Sequence, residues 1–175
     1  MGSGKTLVAF LAAAPYLEVG HQVVFLAPTE LLAAQHYRNA QALFSGTGVQ
    51  VNFLSGATSN DERREAEEAV RGGETGLTIG THATFTARIT FKDLRFVIVD
   101  EQHRFGVLQR QALIQKGSRP DVLFMTATPI PRTLALTAFG DMETSVIRTM
   151  PAGRKEIKTH LARTDHAARV YERVR

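Results

Sequence analysis

The chain has no cysteine, which excludes disulfides and cysteine-ligated metal and fits a reducing compartment. It has no apolar run approaching the ~18 residues that a bilayer span needs, and no charged-then-apolar leader ending in small residues. A membrane is therefore not among the expected partners, and a cytoplasmic location is expected. Internal repeats and low-complexity segments are also lacking. The body of the chain has no charge excess. Of 21 basic and 17 acidic residues, seven and three respectively lie from Arg154 onward, which leaves fourteen of each sign in residues 1–153. The net charge of +4 thus belongs to the tail, and any nucleic-acid contact made by the body must come from particular side chains and backbone amides.

What remains is ordinary globular material: 175 residues, 43% hydrophobic and 22% charged, enough for one domain with a real core. The run Phe96-Val97-Ile98-Val99 has no polar member and no period of two, the pattern of a strand buried on both faces of a parallel sheet. It stops on Asp100-Glu101-Gln102-His103. Ligands of open α/β sheets bind outside the carboxyl ends of the strands, so these acids would emerge at a substrate. Acids that simply begin a helix, favoured there by its dipole, are the alternative.

Gly2-Ser3-Gly4-Lys5-Thr6 runs into an apolar helical pattern through Leu7, Val8, Phe10 and Leu11. Glycines let successive N–H groups point at phosphate oxygens, the lysine adds a point charge, and the threonine hydroxyl can ligate magnesium. This is the second half of a Walker A loop, whose first glycine and preceding strand would lie upstream of Met1. A flexible start to an ordinary helix is the competing reading.

Further strands are expected at 21–27, 49–54, 77–79, 122–125 and 144–147, with helices at 29–44, 60–70, 105–115 and 134–139. Three corners on the expected sheet edge can carry chemistry. Pro28-Thr29 offers either a plain helix cap or a phosphate contact, and at the Gly80-Thr81 corner Thr81 and the following amides could contact a phosphate; His82 reads more readily as a packing residue, and His36 as a surface or packing residue rather than a ligand. Thr126-Ala127-Thr128 suits a hydrogen-bonding link between sites. Together these corners describe NTP hydrolysis. Thr6 and Asp100 would hold Mg²⁺ across the terminal phosphates, Lys5 would neutralise developing charge, and Glu101 would orient and deprotonate the attacking water.

Gly2-Ser3-Gly4-Lys5-Thr6, Pro28-Thr29-Glu30-Leu31-Leu32, Gly80-Thr81-His82, Asp100-Glu101-Gln102-His103 and Thr126-Ala127-Thr128 resemble, in order, motifs I, Ia, Ib, II and III of superfamily 2 helicases. The longer blocks 100–107 and 125–137, with Gly153-Arg154-Lys155, are similar to the RecG family of bacterial DNA helicases. The transcription-repair coupling factors share the Thr-Ala-Thr block but usually carry Glu-Gln where this chain has Gln102-His103.

The resemblance implies a RecA-like P-loop NTPase: an α/β fold, mostly parallel, with helices on both faces and its first strand preceding residue 1. Residues 1–150 would form the first motor domain, and 151–175 the linker and opening of a second RecA-like domain. ATP and Mg²⁺ would be the cofactors and branched DNA, replication forks and Holliday junctions, the partner. Gly2, Ser3, Gly4, Lys5 and Thr6 would bind ATP. His103 would act with Lys5, Asp100 and Glu101 in catalysis, and with Gln102 would couple the γ-phosphate to Thr126, Ala127 and Thr128. Pro28, Thr29, Gly80 and Thr81 would touch the DNA backbone. A wedge domain and the rest of the second motor domain would lie outside these residues. An arginine finger is worth ~10³ to 10⁵ in rate in related NTPases, so the piece alone would be nearly inactive. A double-stranded DNA translocase of the coupling-factor type, a binding remnant without hydrolysis, and a P-loop kinase are the other readings.

Overall fold

Five short apolar runs become one parallel sheet in a computed structural model that describes residues 4–56, 58–74, 76–81, 89–101, 115–127, 143–148 and 171–172. The strands are β1 (Gln22–Ala27), β2 (Val51–Leu54), β3 (Leu77–Thr81), β4 (Leu94–Val99) and β5 (Asp121–Phe124). Their order is β2-β3-β1-β4-β5, and each neighbouring pair is parallel. Side chains alternate across the sheet. Val23, Phe25 and Ala27 with Phe96 and Ile98 enter one core, while Val24 and Leu26 with Val97 and Val99 enter the other. A core on each face is the physical reason that these strands read as unbroken apolar runs.

The first core is covered by α1 (Lys5–Glu18) and α2 (Glu30–Leu43), through Ala9, Phe10, Ala13, Leu17, Ala33 and Ala40. The second is covered by α3 (Asn60–Gly72), through Ala66 and Val70. Helices therefore stand on both faces, as expected. Helix α1 continues through Pro15, whose ring nitrogen cannot donate to the preceding turn. Its last turn is held by packing instead. Leu17 is buried, and Tyr16 stacks on Phe96 at 4.8 Å and donates to Asp121 Oδ2 at 2.6 Å. That hydrogen bond raises the Tyr16 phenol above its ordinary range.

Gln22 locks three elements together from a buried position. Its amide donates to the Val70 carbonyl at 2.7 Å and accepts from the Asp93 backbone at 2.9 Å, so the end of α3 and the entry to β4 share one side chain on β1. Gly117 is required by a close approach: a Cβ there would lie 2.5 Å from the Leu94 carbonyl oxygen.

Helix α3 starts on a reciprocal cap. Ser59 accepts from the Glu62 backbone, and the Glu62 carboxylate accepts from the Ser59 amide at 3.2 Å and hydroxyl at 2.7 Å. The Ser59 hydroxyl, followed by its amide, holds the Glu62 carboxyl below its ordinary value of 4.5. A depressed folded pKa contributes stability above the unfolded value that is lost as pH falls through the folded one. Ser59→Ala is accordingly expected to lower the melting temperature at pH 7, with the gap to wild type narrowing as pH falls below 4.5.

Some expected boundaries move. β2 begins two residues later than the expected 49, because Gln50 gives its carbonyl to Gly76 and Leu77 before the ladder starts. β3 runs beyond 79 to Thr81, since Gly80 and Thr81 pair with Leu26 and Ala27. Residues 144–147, expected as a strand, have no regular structure; Val146 and Ile147 are exposed, and no described strand pairs with them. The expected helices at 105–115 and 134–139 and the domain boundary near 150 fall outside the described residues, Gln115 excepted.

Candidate nucleotide and DNA site

The sheet register sets one straight rim. Leu54, Gly80, Leu26, Val99 and Phe124 are paired in a single row across five strands. The ladder continues past β4 and β5, with Asp100 N–H donating to the Leu26 carbonyl and Met125 N–H to the Val99 carbonyl, each at 2.9 Å. The next row is therefore Ser55, Thr81, Ala27, Asp100 and Met125. At ~4.8 Å per strand, Thr81 and Asp100 stand ~10 Å apart on either side of Ala27. Alternation places this row on the face whose core contains Ala27 and Met125, the face covered by α1 and α2.

The strand order gives that rim its opening. From β1 the chain goes out to β2 on one flank, whereas from β4 it goes to β5 on the other. The connections diverge between β1 and β4, and such a switch point leaves a crevice beyond the strand ends. Pro28 and Thr29 leave β1 on one side of it, and Asp100 and Glu101 leave β4 on the other.

The phosphate-loop residues reach the same rim through α1. Tyr16, near the end of α1, contacts Phe96 and Asp121 at the opposite, N-terminal edge of the sheet. Phe10, midway, lies 5.4 Å from Phe25 at the middle of β1. Fourteen helical residues then span ~21 Å, which returns Lys5 and Thr6 to the rim of the acids. Gly4 caps α1 at φ 84°, a left-handed conformation that glycine adopts without strain, and no side chain occupies the cap. Among the described residues no side chain caps the first amides of α1, where an anion would be favoured. Gly2 and Ser3 lie outside the described residues.

Hydrogen bonds hold both members of the acid pair. Asp100 Oδ1 accepts from the Glu101 amide at 3.0 Å, and Asp100 Oδ2 accepts from His36 Nε2 at 3.1 Å. Glu101 has φ 49°, an uncommon conformation for a residue with a Cβ, costing ~1–3 kcal/mol. That turn brings its carboxylate to the Ala127 amide, with Glu101 Oε2 accepting at 3.4 Å, a long contact. Motif II and the Thr-Ala-Thr block thus touch directly. Gln102, His103 and Thr128 lie outside the described residues, as does His82.

Thr29 is a helix cap, its hydroxyl accepting from the Leu32 amide at 3.3 Å. Pro28 is half-buried and Thr29 exposed, so both remain reachable from the crevice. Thr81 is buried at 8% exposure within β3. Glu30, the first residue of α2, accepts from Ser55 Oγ at 2.8 Å and from the Gly56 amide at 2.6 Å, tying the turn after β2 to the turn after β1.

Among the described residues no group of three or more His, Cys, Asp and Glu side chains is placed to hold a metal by itself. Thr6 and Asp100 offer two hard oxygens at one rim. This fits Mg²⁺, which is usually bound through one or two protein oxygens with phosphates and water completing its shell. No helix among the described residues is long and apolar enough to cross a membrane.

His36 is the residue that sequence reading missed. Expected as a surface or packing residue rather than a ligand, it is buried and bonded to Asp100. The buried stripe of α2, Ala33, His36 and Ala40, has helical spacing and was the available signal.

The family model for DEAD/DEAH box helicases matches residues 1–137. ATP-dependent DNA helicase RecG of Treponema pallidum (strain Nichols) is 51% identical over 179 residues, covering 98% of this chain and 26% of that protein. RecG of Escherichia coli (strain K12) is 48% identical over 179 residues, again 98% of this chain and 26% of the relative. The chain thus spans about a quarter of the length of these relatives. A solved structure of RecG bound to a three-way DNA junction superimposes with a TM-score of 0.84 at 45% identity, covering 99% of this chain and 23% of that one. The Pyrococcus furiosus Hef helicase domain gives a TM-score of 0.63 at 26% identity, covering 78% and 31%.

Proposed function

The chain belongs to the DEAD/DEAH box helicase family, and from that premise we propose that it is the nucleotide-binding motor domain of an ATP-dependent helicase that acts on branched DNA. The observation that carries the reading is the meeting at one rim of Lys5 and Thr6, brought by α1, with Asp100 and Glu101, brought by β4. Similarity to RecG, one structure of which holds a three-way junction, supports the choice of branched DNA. Regression of stalled forks and migration of Holliday junctions, in replication restart, recombination and repair, are the finer form of the proposal.

Each residue has a task in this scheme. The open amides of α1, with Gly2, Ser3 and Gly4, cradle the phosphates, and Lys5 adds a positive charge against the terminal one. Thr6 and Asp100 would hold Mg²⁺, which would offset the negative charge of the phosphates. Glu101 stands beside that ligand and takes the proton of the attacking water. Its contact with Ala127 gives a path by which Gln102, His103, Thr126, Ala127 and Thr128 sense whether the terminal phosphate is present. Pro28, Thr29, Gly80 and Thr81 contact the DNA backbone from the end of β1, beside the acid pair, and from the end of β3, one strand further out.

ATP hydrolysis by the full-length protein is the test. Turnover is expected to rise severalfold more with a forked or three-way duplex than with a linear duplex of equal length. Equal stimulation by both would remove the preference for branches. Absence of hydrolysis with every DNA would remove the motor reading altogether.

A further inference from the structure

Behind the Asp100 carboxylate stands a histidine that the proposed reaction leaves without a task. The His36 side chain is only 7% exposed, its ring lies 4.6 Å from that of Phe25, and Nε2 is 3.1 Å from Asp100 Oδ2. An ionised carboxylate can only accept, so Nε2 carries the hydrogen. The other ring nitrogen, Nδ1, is buried with no hydrogen-bond partner among the described residues. An unsatisfied buried nitrogen is costly, and nothing in packing alone calls for it.

The geometry of the carboxylate explains what that cost secures. Asp100 lies one residue past the end of β4 and can turn about two side-chain torsions. Among the described residues its Oδ1 is tied only to the next amide in its own turn, at 3.0 Å. Among the described residues, His36 is the one side chain from another element that holds it, and it comes from a helix packed into the core. Each oxygen keeps a lone pair free after these bonds. We propose that His36 is a positioning residue that locks the Asp100 carboxylate in the orientation that receives Mg²⁺, an inference that rests on the nucleotide site proposed above.

The test is Mg²⁺-dependent binding of a fluorescent ATP analogue to the full-length protein, with no turnover required. His36→Phe keeps a ring against Phe25 and removes the donor; His36→Gln restores a donor on a flexible stem. Loss of a partner behind a metal ligand typically weakens metal affinity by about 10- to 100-fold. The half-saturating Mg²⁺ concentration is expected to rise by that order in His36→Phe and to return most of the way in His36→Gln, with analogue affinity at saturating Mg²⁺ near wild type. An unchanged Mg²⁺ dependence in His36→Phe overturns the inference, and so does equal impairment of both variants, which would assign His36 to packing. If wild type shows no Mg²⁺-dependent binding, the nucleotide site itself is wrong. Ring ¹⁵N shifts of His36 in the wild-type protein give a reading that needs no folded variant: hydrogen on Nε2 is expected, and hydrogen on Nδ1 alone overturns the lock.

Discussion

Glu101→Gln in the full-length protein is expected to lower ATP turnover by about 10²- to 10⁴-fold while leaving ATP affinity within about threefold of wild type. The substitution removes a proton acceptor. Glutamine has the same length, and its amide oxygen can still accept from the Ala127 amide, now 3.4 Å from Glu101 Oε2. The strained φ of 49° belongs to the backbone and is retained. Asp100, Lys5 and Thr6, the proposed ligands of magnesium and the phosphates, are untouched. Steady-state hydrolysis with branched DNA and equilibrium binding of an ATP analogue separate the two effects. Undiminished turnover would take the role of base from Glu101. Lost binding would instead make it a ligand.

Phe25→Ala is expected to destabilise the domain by about 3–5 kcal/mol. Phe25 is fully buried at the middle of the central strand, 5.4 Å from Phe10 on α1 and 4.6 Å from His36 on α2. Both helices that serve the rim rest on this ring. Its loss leaves a cavity between close-packed elements that cannot collapse without shifting them. Native domains are stable by only about 5–15 kcal/mol, so the change consumes a large share of the margin. The urea midpoint of the domain's unfolding transition should fall with little change in slope. Nucleotide affinity should weaken as well, because α1 and α2 lose a common support. A midpoint within experimental error of wild type would show that the core repacks around the gap.

The strands and the site were legible in the sequence to different depths. Phe96 to Val99 announced a doubly buried strand, and the two cores to which those residues contribute are the reason. Lys5 and Thr6 announced a phosphate loop, because few other tasks need that order of glycine, lysine and hydroxyl. His36 announced nothing of its task. Its partner Asp100 is 64 positions away, and only the packing of α2 against the sheet brings them within 3.1 Å. Thr81 is expected at a strand-to-helix corner, whereas pairing of Gly80 with Leu26 and of Thr81 with Ala27 carries β3 to its end and buries the side chain.

By itself the sequence determined which residues are chemically able to act, since reactivity belongs to a side chain and its near neighbours. It determined also that the chain folds as a parallel α/β sheet, because burial on two faces leaves a pattern that a few consecutive residues reveal. Tertiary structure alone decided the strand order β2-β3-β1-β4-β5, and with it the crevice between β1 and β4. It decided that Glu101 reaches Ala127 and that His36 stands behind Asp100. These are contacts between distant positions, chosen by the free energy of the whole packed domain, and no local pattern encodes them.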